Sequence, residues 1–428
     1  MNEKRKKTLL LIILGLGNFA IGCTFSIQSP FFPREAEKKG ASPTEYGFVF
    51  GVYQLTFFIL APIYGKLMGH ISPNFMLLSG LFLVGGAVLL FGFLQDSPHG
   101  LPFLVLAYVL RIVEGTGSAA YQVSSFSIIA REFRDSVAKT MATLEAALGI
   151  GVIVAPTLGG ALYNLGEFLL PFVTLGSFIL LCVFFTYFIL PTCSPSPEMA
   201  SGKLLKFWLN FSLIIDATII STSCMFIGYI SAVLEPHLRQ FQLSTMTVSV
   251  IFVTAGLSYS ISAPIWGFIC DHKINTKCLS IVGGILLSVS FLFIGPAPFL
   301  NLPSQLWLVI VSLAIAGIGV SCCYVSPFIG TLQDTVHIRG YPEDIKTYGL
   351  VSSMAGSAQS FGNFVGPSLG GYLLEKIGFS WGALVFAGAE ILLVFFLFTY
   401  VSIKCCRRRK TEEKSYSSLN NDYSSMSS

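Results

Sequence analysis

Charge is scarce in this chain. Lysine, arginine, aspartate and glutamate make up 11% of its 428 residues, against 53% hydrophobic residues and a mean hydropathy of +0.73. Ordinary soluble globular domains are about one quarter charged, so that class is excluded. Histidine is scarcer still. His70, His99, His237, His272 and His337 all fall in loops or at span ends, which leaves no histidine relay and no metal cluster. No nucleophile–base spacing stands out either, so an enzyme is not expected, and no nucleic-acid partner is called for. The chain has ten cysteines, but Cys23, Cys182, Cys224, Cys270, Cys322 and Cys323 lie in or beside apolar runs. They read as small buried apolar residues rather than a disulfide framework. The single N-x-S/T sequon, Asn210-Phe211-Ser212, opens a span, where glycosylation is not expected.

What the chain does have is apolar runs of 18 or more residues along nearly its whole length, the signature of membrane-spanning helices. After a basic head, Lys4-Arg5-Lys6-Lys7, spans are expected near 8–32, 44–69, 73–95, 102–130, 137–164 and 168–191. A second set follows near 206–235, 245–271, 276–296, 305–333, 347–375 and 379–404, giving about twelve in all. The first span imitates a signal peptide, but its apolar run continues to Phe32, so it is read as an uncleaved helix. The expected organisation is a six-helix half over 1–191, a linker over 192–205, a second half over 206–404 and a disordered tail over 405–428. Head, even-numbered loops and tail carry about twenty of the 26 basic residues, whereas Arg34, Lys38, Lys39, Arg239 and Lys376 lie on the opposite side. The positive-inside rule makes both termini cytoplasmic.

One segment occurs twice. Gly151-Val152-Ile153-Val154-Ala155-Pro156-Thr157-Leu158-Gly159-Gly160 returns as Gly362-Asn363-Phe364-Val365-Gly366-Pro367-Ser368-Leu369-Gly370-Gly371. Small residues at this spacing let a neighbouring helix come close inside a bilayer, and the proline bends its own helix. Two such helices about 210 residues apart suggest a duplicated transporter.

An ionisable side chain at bilayer depth costs at least about 2.5 kcal/mol, so each one calls for a reason. The candidates are Arg111, Glu114, Glu145, Asp216, Glu235 and Glu390. Arg111, Glu114, Asp216 and Glu390 fall ten or so residues from their span ends, about 15 Å deep. If Arg111 pairs with Glu114 at i,i+3, acids remain in surplus. Acids facing a shared cavity attract a cation and hold protons when the cavity is empty, which is the logic of proton/cation exchange. Each also has a plainer reading: Glu114 neutralising Arg111, Glu235 as a helix-end charge before Pro236, Asp216 and Glu390 in local packing or pairing. Glu145, two turns into the fifth span and below its kink, is the favoured functional acid.

Gly65-Lys66-Leu67-Met68-Gly69-His70 and Gly267-Phe268-Ile269-Cys270-Asp271-His272 follow the second and eighth spans. They resemble the loop signature of the major facilitator superfamily, in which an acid latches the cytoplasmic side. Asp271 keeps that acid and Gly69 has lost it. Arg111-Ile112-Val113-Glu114-Gly115 resembles a further mark of that superfamily, associated with proton coupling, and the Pro-Gly-Gly segment resembles its antiporter signature. Pro30-Phe31-Phe32-Pro33, Leu234-Glu235-Pro236-His237-Leu238, Ala161-Leu162-Tyr163-Asn164 and Glu375-Lys376-Ile377-Gly378-Phe379 narrow the resemblance to the vesicular amine transporters. The run from Phe31 to Ser42 and the short first loop look like the polyamine branch.

The resemblance implies an all-α polytopic fold, about twelve helices in two six-helix halves, with a proton gradient as driving force and no cofactor. It implies loading of spermidine- or spermine-like cations into vesicles by proton-coupled antiport. Departures bear on the cargo: Cys322 and Gly356 stand where monoamine carriers place acids in spans ten and eleven, and span one offers Asn18. Glu235 is the family acid that carries over. Tyr46, Tyr53, Tyr121, Tyr229, Tyr259 and Tyr324 are candidates for cation–π contacts. Tyr416-Ser417-Ser418-Leu419 fits a Tyr-x-x-apolar sorting pattern for an adaptor at the tail, and Cys405-Cys406 beside Arg407-Arg408-Arg409-Lys410 fits palmitoylation. Alternatives that remain are a carrier of other amines or cationic drugs, a channel, and a scaffold or sensor without transport.

Overall fold

The structure, a computed structural model, describes residues 3–68, 70–133, 136–190, 210–271, 275–342 and 345–426. The expected linker, 192–205, lies outside them, as do Gly69 and the side chains of Asp271, Tyr416 and Leu419. The described residues form thirteen α-helices. They are α1 (Glu3–Ser26), α2 (Phe32–Lys38), α3 (Pro43–Leu67), α4 (Pro73–Gly92), α5 (Leu101–Glu132), α6 (Val137–Gly166) and α7 (Leu169–Ile189). After them come α8 (Phe211–Leu238), α9 (Thr245–Asp271), α10 (Thr276–Ile294), α11 (Leu306–Gln333), α12 (Ile345–Ile377) and α13 (Phe379–Met426).

Eleven of these helices hold a stretch long and apolar enough to cross a membrane, against the twelve or so expected. The one that falls short is α12. It is 33 residues long, about 50 Å at 1.5 Å per residue, but serines, glycines, Gln359 and Asn363 dilute its apolar character. A second difference concerns α1, which stops at Ser26. The Pro30–Pro33 run turns the chain into the short α2 instead of ending a span. A third concerns α13, whose backbone stays helical to Met426 where a disordered tail is expected.

Local chemistry sets the boundaries. Ser42 and Glu45 form a capping box ahead of α3, with Pro43 at its first turn. Asn210 and Asn275 cap α8 and α10 by accepting the N–H groups of Ser212 and Lys277 at 3.0 Å. Behind α2, buried Lys39 donates to the carbonyls of Gln95 and Ser97, at 2.6 and 2.8 Å, and so pins α2 over the loop between α4 and α5.

Packing divides the helices into two groups. In the first, α1 lies on α6 and α7, and α5 on α3 and α4; in the second, α8 lies on α12, and α11 on α9 and α10, with α13 outside α10. Aromatic rings fill each half near α2: Phe31, Phe32, Phe91, Phe168 and Phe172 in the first, and Phe226, Tyr229, Phe291 and Phe386 in the second. The outer faces carry exposed Phe75, Phe184, Phe188, Leu392 and Phe395. On a soluble protein such a belt would be a liability, but against lipid it is the expected surface. Cys23, Cys182, Cys224, Cys270, Cys322 and Cys323 are buried free thiols.

The halves meet along two seams, α3 on α12 and α6 on α9. The repeated glycines build both. Gly151 sits against the backbone of Phe19 in α1, and its counterpart Gly362 against Ser221 in α8, each within its own half. Gly160 meets Ser249 of α9, and Gly371 meets Pro43 and Gly47 of α3, each across the interface. A Cβ at any of the four would collide with these neighbours, so close approach is what the small residues permit. One end of each motif holds a half together and the other end joins the halves. Pro156 and Pro367 lie between those two ends, inside their helices.

Candidate functional site

The cross-seam contacts of Gly160 and Gly371 lie at the α2 end of the bundle. Toward the other end, Gly65, Gly149, Gly267, Gly349 and Gly356 have open space where a Cβ would stand. The glycine contacts that join the halves are therefore at the α2 end, and toward the end where α1 begins these five glycines touch nothing across the seams.

A charged cluster reinforces the α2 end. Arg239, in the 3-10 turn after α8, donates to Glu235 at 2.6 Å and also to Glu37 of α2, in the opposite half. Arg34 of α2 approaches Glu235 at 3.6 Å. Glu235 is 3% exposed, and this pairing with two arginines is what lets a carboxylate sit so deep. Thr44 N–H donates to Glu375 of α12 at 3.3 Å, a further bond across the same end. Tyr46 donates to Glu37 at 3.3 Å and extends the cluster into the first half.

The remaining membrane acids do not share one cavity. Glu114 accepts from Arg111 at 2.7 Å, and Arg111 lies with its guanidinium 4.5 Å from the Tyr53 ring centre. Both charges are buried inside the first half, so the i,i+3 pair forms. Asp216 stands five residues into α8, because that helix begins at Phe211 rather than near 206; it is less deep than the sequence implies. It pairs with Lys277 of α10 and accepts from Thr331 of α11 at 3.1 Å. Beside it, Ser212 donates to Asp334 at 2.8 Å. This is an internal clamp of the second half. Asn18 is also internal, donating to the Leu14 carbonyl at 2.9 Å and to Tyr121 at 3.3 Å.

Glu145 is different. It is exposed on α6, one turn before Gly149, and Gln122 of α5 donates to it at 3.3 Å. Among the described residues no ion pair occupies it. Tyr259 of α9 and Tyr324 of α11, both in the opposite half, lie in its neighbourhood. Tyr324 in turn donates to Gln359 of α12 at 3.4 Å. Of the six candidate tyrosines, Tyr46, Tyr53, Tyr121 and Tyr229 are buried in the packing, whereas Tyr259 and Tyr324 are half-buried near the acid. An unpaired carboxylate facing two aromatic rings and two amides suits a cation carrying more than one amine. Gly356 leaves open space, while Cys322 is buried, its thiol 3.1 Å from the Leu279 carbonyl.

Glu145, Glu235 and the Arg111–Glu114 pair stand out in the sequence as charges within or at the ends of spans. Gln122, Gln359 and the Arg34–Glu37–Arg239 set do not. The available signal was charge placement: Arg34 and Arg239 are two of the five basic residues on the side opposite the basic head.

The Major Facilitator Superfamily profile matches residues 14–345 and again residues 223–421, in keeping with a duplicated chain. The chain is 36% identical to the MFS-type transporter SLC18B1 of Rattus norvegicus over 392 residues, 90% of this chain and 85% of that protein. It is 28% identical to the synaptic vesicular amine transporter of Homo sapiens over 364 residues, 82% of this chain and 66% of that one. In fold it resembles a bacterial homologue of the human lysosomal transporter Spinster, with a TM-score of 0.73, 12% identity and coverage of 93% and 96% of the two chains. The nucleoside transporter NupG gives a TM-score of 0.71 at 13% identity, with coverage of 91% and 99%. The chain belongs to the major facilitator superfamily and, within it, to the family of the SLC18B1 transporters, with the vesicular amine transporters as more distant relatives.

Proposed function

We propose that this protein is a proton-coupled antiporter that loads polyamines into vesicles by alternating access between its two halves. The observation that carries the reading is Glu145, an unpaired acid on the wall between the halves with Tyr259 and Tyr324 opposite. With both termini cytoplasmic by the positive-inside rule, the α2 end is lumenal and the opposite end faces the cytoplasm. The state described is then the one that receives cargo before it is carried inward. The Arg34–Glu37–Glu235–Arg239 cluster serves as the lumenal gate, and Glu235 acts there rather than in the cavity.

Several features favour polyamines over monoamines. Gly356 and Cys322 remove two acids from the positions where the resemblance implies them, and Asn18 is tied to Tyr121. Acid and aromatics then lie spread across α6, α9 and α11, which fits amines several ångströms apart on one flexible cation. Energetics favour exchange. A trivalent cation entering a lumen positive by 100 mV costs about 7 kcal/mol, at about 2.3 kcal/mol per charge. Each departing proton returns that 2.3 and about 1.36 kcal/mol more per pH unit. No cofactor is needed, since the proton gradient drives the cycle.

The test is a substrate panel in proteoliposomes with an imposed acidic lumen. Labelled spermidine and spermine are expected to accumulate, with a monoamine and acetylcholine taken up at least about tenfold less, the effect of roughly 1.4 kcal/mol. Monoamine uptake matching spermidine uptake would overturn the polyamine reading, and no uptake of any amine would favour the scaffold or sensor.

A further inference from the structure

The mechanism above leaves one membrane acid without work. Glu390 is the twelfth residue of α13, at the middle of the span Phe379–Ile403, yet it is 2% exposed and turned inward. Among the described residues its Oε1 atom has no hydrogen-bond partner. We propose that Glu390 is a proton-binding site of the second half, loaded and unloaded once per transport cycle. The inference rests on the antiport reading and extends it to the proton side.

Its surroundings explain why the group is suited to a proton rather than a fixed negative charge. On α10 the facing residue is Gly284, where a Cβ would stand 3.6 Å from Oε1, so the acid lies against the helix backbone itself. That backbone offers it nothing, because the Gly284 carbonyl already accepts from Ser288 at 2.8 Å. From α11 the titratable neighbour is Cys323, whose thiol is directed to the Ser280 carbonyl at 3.5 Å. From α8 come Thr222, which interacts with the carboxyl, and Cys224 farther off beside Cys323. Between Tyr348 and Tyr372, α12 contributes no ionisable residue. The lysine of α10, Lys277, is seven residues from Gly284, about 10 Å along the helix, and is committed to Asp216. A carboxylate at mid-membrane with no base beside it is costly; the neutral acid is not.

Thr222 supplies a two-position reporter of that proton. Its hydroxyl has one hydrogen, which it donates to the Ile219 carbonyl at 3.1 Å. In that position the hydroxyl can accept from a protonated Glu390. When the proton leaves, the hydroxyl can rotate and donate to the carboxylate, giving up Ile219. One proton enters and one leaves, with no other reactant. The path to the cargo is short: Cys323, beside Glu390, is followed by Tyr324, in the neighbourhood of Glu145. On α8, Ser221 next to Thr222 donates to the Ala358 carbonyl of α12 at 2.9 Å, beside Gln359. Two of the helices around the proton site, α8 and α11, thus lead on to the residues beside Glu145.

The test uses the full chain in proteoliposomes, as parent, Glu390→Gln and Glu390→Asp. Infrared difference spectra across pH steps, without any amine, should show a protonated-carboxyl band that Glu390→Gln lacks and Glu390→Asp keeps, shifted. With spermidine, Glu390→Gln should still exchange label between equal concentrations on the two sides. Its gradient-driven accumulation should fall about tenfold for each pH unit imposed, the loss of one coupled proton, while Glu390→Asp accumulates. An unchanged spectrum or undiminished accumulation in Glu390→Gln overturns the proposal, and so does loss of exchange in both variants, which marks a packing role. If the parent carries no spermidine, the antiport reading fails, and the spectra alone still decide whether Glu390 binds a proton.

Discussion

Replacing Glu145 with glutamine is expected to reduce spermidine uptake by about ten- to a hundredfold. The substitution keeps size and hydrogen-bonding capacity, so Gln122 retains a partner, and it removes one negative charge. A hydrogen bond to a charged group contributes about 1.5–3 kcal/mol, which converts to that range at about 1.4 kcal/mol per tenfold. The loss should appear at low substrate and narrow as spermidine is raised, because the missing term is binding. Since Glu145 is exposed and unpaired in this state, protein yield and thermal stability should be unaffected. The measurement is initial uptake rate per unit of reconstituted protein across a concentration series. Parent-like uptake at low spermidine would remove Glu145 from amine binding.

Gly160→Leu and Gly371→Leu should be at least as damaging, by a different route. Each glycine sits on a seam, one against Ser249 and the other against Pro43 and Gly47 of the opposite half. A leucine there cannot be accommodated while the seam is shut. Overpacking costs about 1–3 kcal/mol, enough to move a two-state equilibrium about five- to a hundredfold away from the closed α2 end. Transport should fall accordingly, with binding of spermidine from the α2 side retained. A cysteine introduced at Val248, buried on α9 next to the Ser249 that Gly160 touches, gives a direct readout. It should react with an impermeant thiol reagent from the α2 side in the leucine variants and stay protected in the parent background. Protection in both would mean that these glycines do not govern closure.

Much of the architecture is legible in the sequence. Apolar runs gave the spans, and the duplicated Pro-Gly-Gly segment gave the two halves, because close helix contact in lipid demands small residues at fixed spacing. The weak point was α12, whose polar face lowers its hydropathy although its length is ample. The site was legible only in part. A count of membrane charges gives five acids to one base, and Lys277, at the edge of its span, is the further base that neutralises Asp216. The sequence places Glu235 and Arg239 one turn apart, whereas their link to Glu37 is made between residues some 200 positions apart. Glu145 could be singled out by its place below the kink. That Tyr259 and Tyr324 stand across from it depends on how two halves dock, which no local pattern encodes.

The central claim is exchange of a polyamine for protons, and one quantity tests it: the steady-state ratio of spermidine inside to outside in proteoliposomes with known membrane potential and pH difference. Antiport predicts accumulation against the voltage when the lumen is acidic, rising with each pH unit and collapsing when a protonophore removes the gradient. A ratio fixed by voltage alone, unchanged when the pH difference is abolished, would contradict it and leave a passive path for cations.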